Sequence, residues 1–288
     1  MIGVVDVKKF LVRRWKDLGV ITGNWSGKIG FAITAAFVIV VFFAQWIAPY
    51  SPTRQFPVAY APPSFAHLLG TDDIGEDLFS QLIWAARGSF IIGVFAGAIA
   101  TVIGTGIGLL SGYHGGRTGE GLMRFTDVVL VLPLLPLLLV IASVFPANVI
   151  LVIGVIGFLS WPSMARVIRS QTLTLKTRPF VDAAKLSGMS DSQIMLTVLL
   201  PNMLPLVVLY GVYAAVTAVV IEAGLDYIGL GAVTNLSLGT MLYFALSRNA
   251  LLIGAWWWFI PPGLLIAVLG IGFILLAHGV ERIGRVRS

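Results

Sequence analysis

Six long apolar stretches, each nearly free of charge, constrain this chain more than any other feature. They fall at about 29–48, 89–112, 127–145, 149–167, 203–223 and 252–277. A helix needs about 20 consecutive apolar residues to cross the hydrocarbon core of a bilayer. Lipid offers no partner to a backbone N–H or C=O, so such runs become helices rather than open strands. Only 11% of the 288 residues are charged, against about 25% in a soluble domain. That is too little charge to cover a surface in water. The expected fold class is an all-α integral membrane protein with six transmembrane helices.

Six spans place both termini on one side. Residues 1–28 then hold six Lys and Arg, 112–126 two, 166–185 five and 281–288 three, which is 16 of the 19 in the chain. The other side keeps only Arg54, Arg87 and Arg248. Basic residues concentrate in cytoplasmic loops, so the richer side is cytoplasmic. A net charge of +6 is accounted for in this way without a nucleic-acid partner. Residues 1–28 interleave Lys8, Lys9, Arg13 and Arg14 with Phe10, Leu11 and Trp15, the pattern of a basic amphipathic segment on a lipid surface. Residues 29–280 form the membrane domain, with an extracytoplasmic loop at 49–88 and a cytoplasmic loop at 170–201. Residues 281–288 are a cytoplasmic tail.

Several local patterns refine this picture. Gly93, Gly97, Gly104, Gly108 and Gly112 recur at four or seven residues, along one helix face that admits a close neighbour. Pro133 and Pro136 kink or loosen the third span. Trp256, Trp257 and Trp258 suit a membrane interface. Asp72, Asp73, Glu76 and Asp77 precede an amphipathic run and read as helix caps with a solvated acidic face. Their spacing is not that of a calcium loop.

Bond chemistry has no evident home. The chain has no Cys, no Walker A, no HExxH and no GxSxG. His67, His114 and His278 are scattered, so no metal site is expected. Asp127, Glu222 and Asp226 are the acidic residues close to spans, each near a predicted end. Glu222 and Asp226 read either as hydrated or hydrogen-bonded groups of an outer vestibule or as part of a substrate path. A self-sufficient secondary transporter or channel predicts buried charges or inverted repeats, and neither is clear.

The polar stretch 180–202 lies between the fourth and fifth spans. Pro179 bars helix at Arg178 and starts a short helix over 181–186, with Asp182 near its positive end. Ala183 and Ala184 present a low-profile surface. Gly188 ends the helix, and Ser190 and Asp191 cap a second one that returns to the membrane at Leu200 and Pro201. Two short helices joined by a glycine turn then project into the cytoplasm as a docking surface.

The pattern D-A-A-x3-G-x9-V-x-L-P over 182–201 resembles the E-A-A-x3-G-x9-I-x-L-P loop of the membrane subunits of binding-protein-dependent ABC importers. HLLGTDDIGEDLFSQLIWAAR and GYHGGRTGEGLMRFTDVVLVLP resemble segments of the dipeptide/oligopeptide/nickel branch, its C-type permease in particular. The resemblance runs from about residue 28 to the end. It implies a type I importer permease in a prokaryotic cell membrane, paired with a second homologous permease. It also implies two ATPase subunits and an extracytoplasmic binding protein as partners. ATP and Mg would then be bound by the ATPases, with no cofactor in this chain. Asp182, Ala183, Ala184, Gly188, Leu200 and Pro201 become the ATPase-coupling residues. The usual cargo of the branch is peptides, with oligosaccharides and nickel chelates as alternatives. Four departures stand out: Asp182 for Glu, Glu76 for Arg, LDYIGLGAVTNLSLGTML without the family's Pro pair and Trp, and AHG at 277–279 where GDG is common.

Overall fold

The computed structural model describes residues 25–145, 148–229 and 235–285. The basic segment 1–28 lies outside them up to residue 24, as do 286–288 of the tail. The described residues are helical apart from turns and two isolated β-bridges. Five helices are long and apolar enough to span a membrane, and a shorter apolar helix lies at Leu238–Ser247.

Helix α1, Trp25–Ile47, packs along α10, Trp256–Arg285, where Gly30 and Gly272 remove the side chains that would hold the two apart. Helix α2, Leu78–His114, has 37 residues and begins well before the expected start at 89. Nothing between 78 and 88 breaks a helix, and Asp77 caps its first turn. The glycine stripe on α2 meets two partners rather than one. A Cβ on Gly97 would lie 2.7 Å from the backbone of Ala215, and one on Gly108 would lie 2.6 Å from Ile168 Cβ.

The third expected span is broken. Helix α3, Gly116–Val131, and helix α4, Leu134–Val144, are separated at Leu132 and Pro133, both extended. Pro133 lacks an N–H and excludes helical geometry at Leu132. Pro136 falls in the first turn of α4, where no N–H is needed. The fourth span also has two parts, α5, Val149–Ser160, and α6, Pro162–Lys176, joined at Trp161.

Helix α7, Pro179–Leu186, is followed by α8, which runs unbroken from Asp191 to Tyr227. The expected separate return helix is thus the first turns of the fifth span. Over Ile194–Leu199 the ladder widens to π spacing, and Leu200 N–H reaches Met195 O. Pro201 has no N–H for the carbonyl four residues back, so the wider pairing absorbs the gap. Helix α9, Leu238–Ser247, carries a Ser237 capping box and packs against α8 and α10.

The acidic cluster corrects expectation, because Asp72 and Asp77 are buried rather than solvated. Asp77 accepts from Ser80 N (2.8 Å), Ser80 Oγ (2.7 Å) and contacts His67 Nδ1 at 2.9 Å. Asp72 accepts from Ile74 N, Glu76 N and Gln81 Nε2 at 2.7–3.0 Å. Burial pushes the Asp72 carboxyl above its ordinary range, and burial followed by the Asp72 charge does the same to Glu76. Asp73 pairs with Arg248 at 3.1 Å and ties this loop to the end of α9.

Candidate functional site

Helix α7 is built from its ends. Arg178 is extended and Pro179 occupies the first helical position, where its missing N–H costs nothing. At the other end Gly188 adopts φ +78°. Gly188 N–H donates to Lys185 O at 2.9 Å and Met189 N–H donates to Ala184 O at 3.3 Å. That pair of bonds is a Schellman closure, which needs a left-handed residue at the Gly188 position. Ser190 and Gln193 then form a reciprocal capping box that starts α8.

The two faces of α7 differ. Val181 and Ala184 (8% exposed) point inward, into a cluster with Leu109, Ile168, Ile194 and Leu199. Asp182, Ala183 and Lys185 are exposed, together with Phe180 and Leu186, the last 91% exposed. Asp182 and Lys185 approach at 3.9 Å in solvent, a pair worth little. Of the expected coupling residues, then, Asp182 and Ala183 share the outward face and Gly188 forms the turn. Ala184 faces the chain's own core, contrary to its expected place on the docking surface. Leu200 and Pro201 lie beyond the π turn and shape α8 instead.

Sequence reasoning missed Tyr113 and Lys176. Tyr113 Oη donates to Asp191 Oδ1 at 2.7 Å, and Lys176 Nζ donates to the Tyr113 carbonyl at 2.6 Å. These bonds fasten the start of α8 to the ends of α2 and α6. Tyr113 is 78 residues from its partner, and no local pattern announces such a contact.

Glu222 and Asp226 occupy the opposite end of α8. They stand one turn apart on one face, and both are buried, Glu222 completely. Ser89 Oγ on α2 donates to Glu222 Oε2 at 3.1 Å and accepts from Leu238 N at 3.1 Å. Ser237 Oγ donates to Asp226 Oδ2, while Ser237 and Thr240 cap α9. The Glu222 and Asp226 carboxyl groups also hydrogen-bond to each other, which requires a proton on one of them. Both acids border a cavity of about 290 Å³ that also meets Trp84, Arg87, Val149 and Val152. Both acids lie near the end of α8 at Tyr227, as expected, but they are hydrogen-bonded rather than hydrated, because α9 packs over them. Ser89 and Ser237 carried no signal in the sequence. No cluster of metal-ligating side chains occurs among the described residues.

Known proteins resemble this sequence along nearly the whole chain. Residues 104–283 match the family described as binding-protein-dependent transport system inner membrane component. Residues 22–63 match the N-terminal TM domain of oligopeptide transport permease C. The oligopeptide transport system permease protein OppC of Lactococcus lactis subsp. cremoris is 32% identical over 89% of this chain and 88% of its own length. The OppC of Bacillus subtilis is 32% identical over 96% and 90%. The dipeptide transport system permease protein DppC of Haemophilus influenzae is 33% identical over 90% and 89%.

Proposed function

We propose, from the premise that this chain belongs to the binding-protein-dependent transport system inner membrane component family, that it forms half of an ATP-driven import path for di- and oligopeptides. As a member it is a multi-pass inner-membrane permease, not itself catalytic, and it works with a binding protein and an ATPase. In our reading a second, similar permease completes the path and two ATPase subunits supply the drive. Six spans, with the third interrupted at Pro133, place both termini and α7 in the cytoplasm. The binding protein meets the outer loops 49–88 and 224–250. The names of the relatives favour peptides over oligosaccharides or nickel chelates.

The observation that carries the coupling assignment is the divided surface of α7. Its inner face is fixed by the chain's own apolar cluster, while Phe180, Ala183 and Leu186 are exposed among the described residues. Exposed apolar side chains on a rigidly held short helix suit insertion into a groove on a partner. ATP-driven movement of that partner would pull on α7, and through Val181 and Ala184 on α2, α6 and α8.

The chain has no cysteine, so Leu186→Cys introduces a unique thiol. A short bifunctional crosslinker on the assembled transporter should join Leu186→Cys to the ATPase, and Arg54→Cys to the binding protein. Capture of the binding protein by Leu186→Cys, or no ATPase adduct at all, would overturn the assignment.

A further inference from the structure

Neither docking at α7 nor the Glu222–Asp226 pair accounts for a groove between α3 and α6. Its volume is about 390 Å³, and Met123, Asp127, Arg166, Arg169, Ser170 and Leu173 line it. The four α6 residues recur at three, four and seven positions and so share one helix face, as do Met123 and Asp127 on α3. The charges in the groove do not balance. Asp127 Oδ1 accepts from Arg166 Nη2 at 2.7 Å, which uses one of the five donors of that guanidinium. Arg169 belongs to none of the four ion pairs among the described residues, and its Nε is buried without a hydrogen bond. Two cations thus face one acid, and the surplus charge is partly withdrawn from water. A cation so placed gains from an anionic partner.

Contacts with α2 fix the depth of the groove. A Cβ on Gly108 would meet Ile168 and the Ala165 carbonyl, and one on Gly112 would meet Thr172 and the Arg169 carbonyl. Arg166 and Arg169 are therefore level with the end of the apolar run 89–112. Helix α3 changes character at its groove residue: it carries Arg117, Glu120, Arg124 and Asp127, and only apolar residues from Val128 to Val131. The groove hence sits where hydrocarbon gives way to headgroups. Beyond it, Val131 lies one turn past Asp127 on the same face and is 81% exposed, with Val128 beside it 61% exposed. A ligand there meets guanidinium groups at one end and a bare apolar wall at the other. That shape favours a phospholipid over a free oxyanion or the carboxylate of a cargo peptide, neither of which needs the wall.

We propose that this groove seats the phosphodiester of an anionic phospholipid, with phosphatidylglycerol as the occupant. Basic pockets between membrane helices take such headgroups, and the planar fork of arginine suits a phosphate. The phosphate balances Arg169, Arg166 and Ser170 supply further donors, and one acyl chain lies along Val128 and Val131. Ile168 of α6 belongs to the cluster beneath α7, so a lipid that holds α6 to α3 also steadies the support of α7. The inference stands on the membrane fold and not on the identity of the cargo.

The test uses the complete transporter, with binding protein, sister permease and ATPases, in nanodiscs of phosphatidylcholine. The probes are phosphatidylglycerol and phosphatidylcholine carrying the same photoactivatable diazirine in one acyl chain, at equal concentration, with adducts mapped by mass spectrometry. In wild type the phosphatidylglycerol probe should label residues 125–132 at least fivefold more than the phosphatidylcholine probe. Arg169→Gln should bring that ratio near one, and Arg169→Lys should keep most of it. Arg117→Gln, an exposed position on the first turn of α3, should leave it within twofold. Equal labelling by the two probes, or equal loss in Arg117→Gln and Arg169→Gln, overturns the seat, since that is what lipid around any basic helix would produce.

Competition in the wild type needs no variant. Unlabelled phosphatidylglycerol should lower the labelling at least fivefold, while inorganic phosphate and tri-alanine should leave it within twofold. Displacement by inorganic phosphate would assign the groove to a free oxyanion. Displacement by tri-alanine but not by its C-terminal amide would assign it to the carboxylate of a cargo peptide. No adduct at 125–132 would assign it to contact with the sister permease. Each of these three results overturns the lipid seat.

Discussion

At its first turn α8 shows Ser190, Asp191 and Gln193 to solvent, and at its last turn it buries Glu222 and Asp226. The first group is satisfied mainly within four residues, by the capping box. The second depends on Ser89 and Ser237, which are 133 and 11 residues away from their partners. The Ser190 end is therefore local, cheaply perturbed and readable, whereas the Glu222 end exists only once α2, α8 and α9 have met. A buried polar group must be matched by another element or by a ligand, so the Glu222 end is where specificity can be stored.

The largest effect should separate the two faces of α7. Ala184→Asp places a carboxylate inside the apolar cluster, at a cost of several kcal/mol, and should cut the yield of folded chain at least tenfold. Leu186→Asp changes an exposed position and should keep its yield within twofold while losing the ATPase on co-purification. Equal yields for the two would erase the distinction between the faces.

Next comes the Glu222 end. Ser89→Ala strips both Glu222 Oε2 and Leu238 N–H of a partner, costing about 2 kcal/mol. Ser190→Ala at the solvent-exposed cap should cost about 1 kcal/mol. Thermal unfolding of the two purified variants side by side checks the order, and a larger drop for Ser190→Ala would refute it. Gly188→Ala is smaller or similar, about 1 kcal/mol, because only its left-handed backbone resists a side chain. No atom lies within 4 Å of the added Cβ. Faster proteolysis at 186–190, with uptake retained, is the expected result; a bulky residue there should behave much like Ala.

The smallest effect concerns pH in the loop before α2. Burial raises Asp72 and Glu76 above the usual carboxylate range in the folded protein. Their contribution to loop stability is thus fully present below the unfolded value and is lost as pH rises through the raised folded values. Amide exchange at Ile74 and Glu76, corrected for the intrinsic rate, should show protection falling over that rise. Protection that increases instead would mean the acids are held by charges not seen in this loop.

Much of the fold could be read because each span satisfies its own backbone. The length of the apolar runs placed six spans, of which five are long helices, and the glycine stripe on α2 anticipated a close contact. It could not say that the stripe divides between α8 and α6, since all five glycines look alike. Pro133 pointed to a weakness, while the full break required knowing that no neighbour repairs it as a continuous helix. Around α7 the turn chemistry of Pro179, Gly188 and Ser190 was legible in order. The inward direction of Ala184 was not, because two adjacent alanines differ only in the phase of the helix. Glu222 and Asp226 could be picked out, but their burial followed from Ser89 and α9, which local sequence does not connect to them.

The length of α2 has a mechanical consequence. At 1.5 Å per residue, its 37 residues make a rod about 55 Å long. Its C-terminal end is tethered by Tyr113 to Asp191 and Lys176, and its N-terminal end starts at Asp77 beside the folded loop. A rod of that length is a lever: pivoting by roughly 5° about one end carries the other through about 5 Å, close to one helical turn. Small rotations set at the Tyr113 end would thus become large displacements at the Asp77 end without breaking the helix between them.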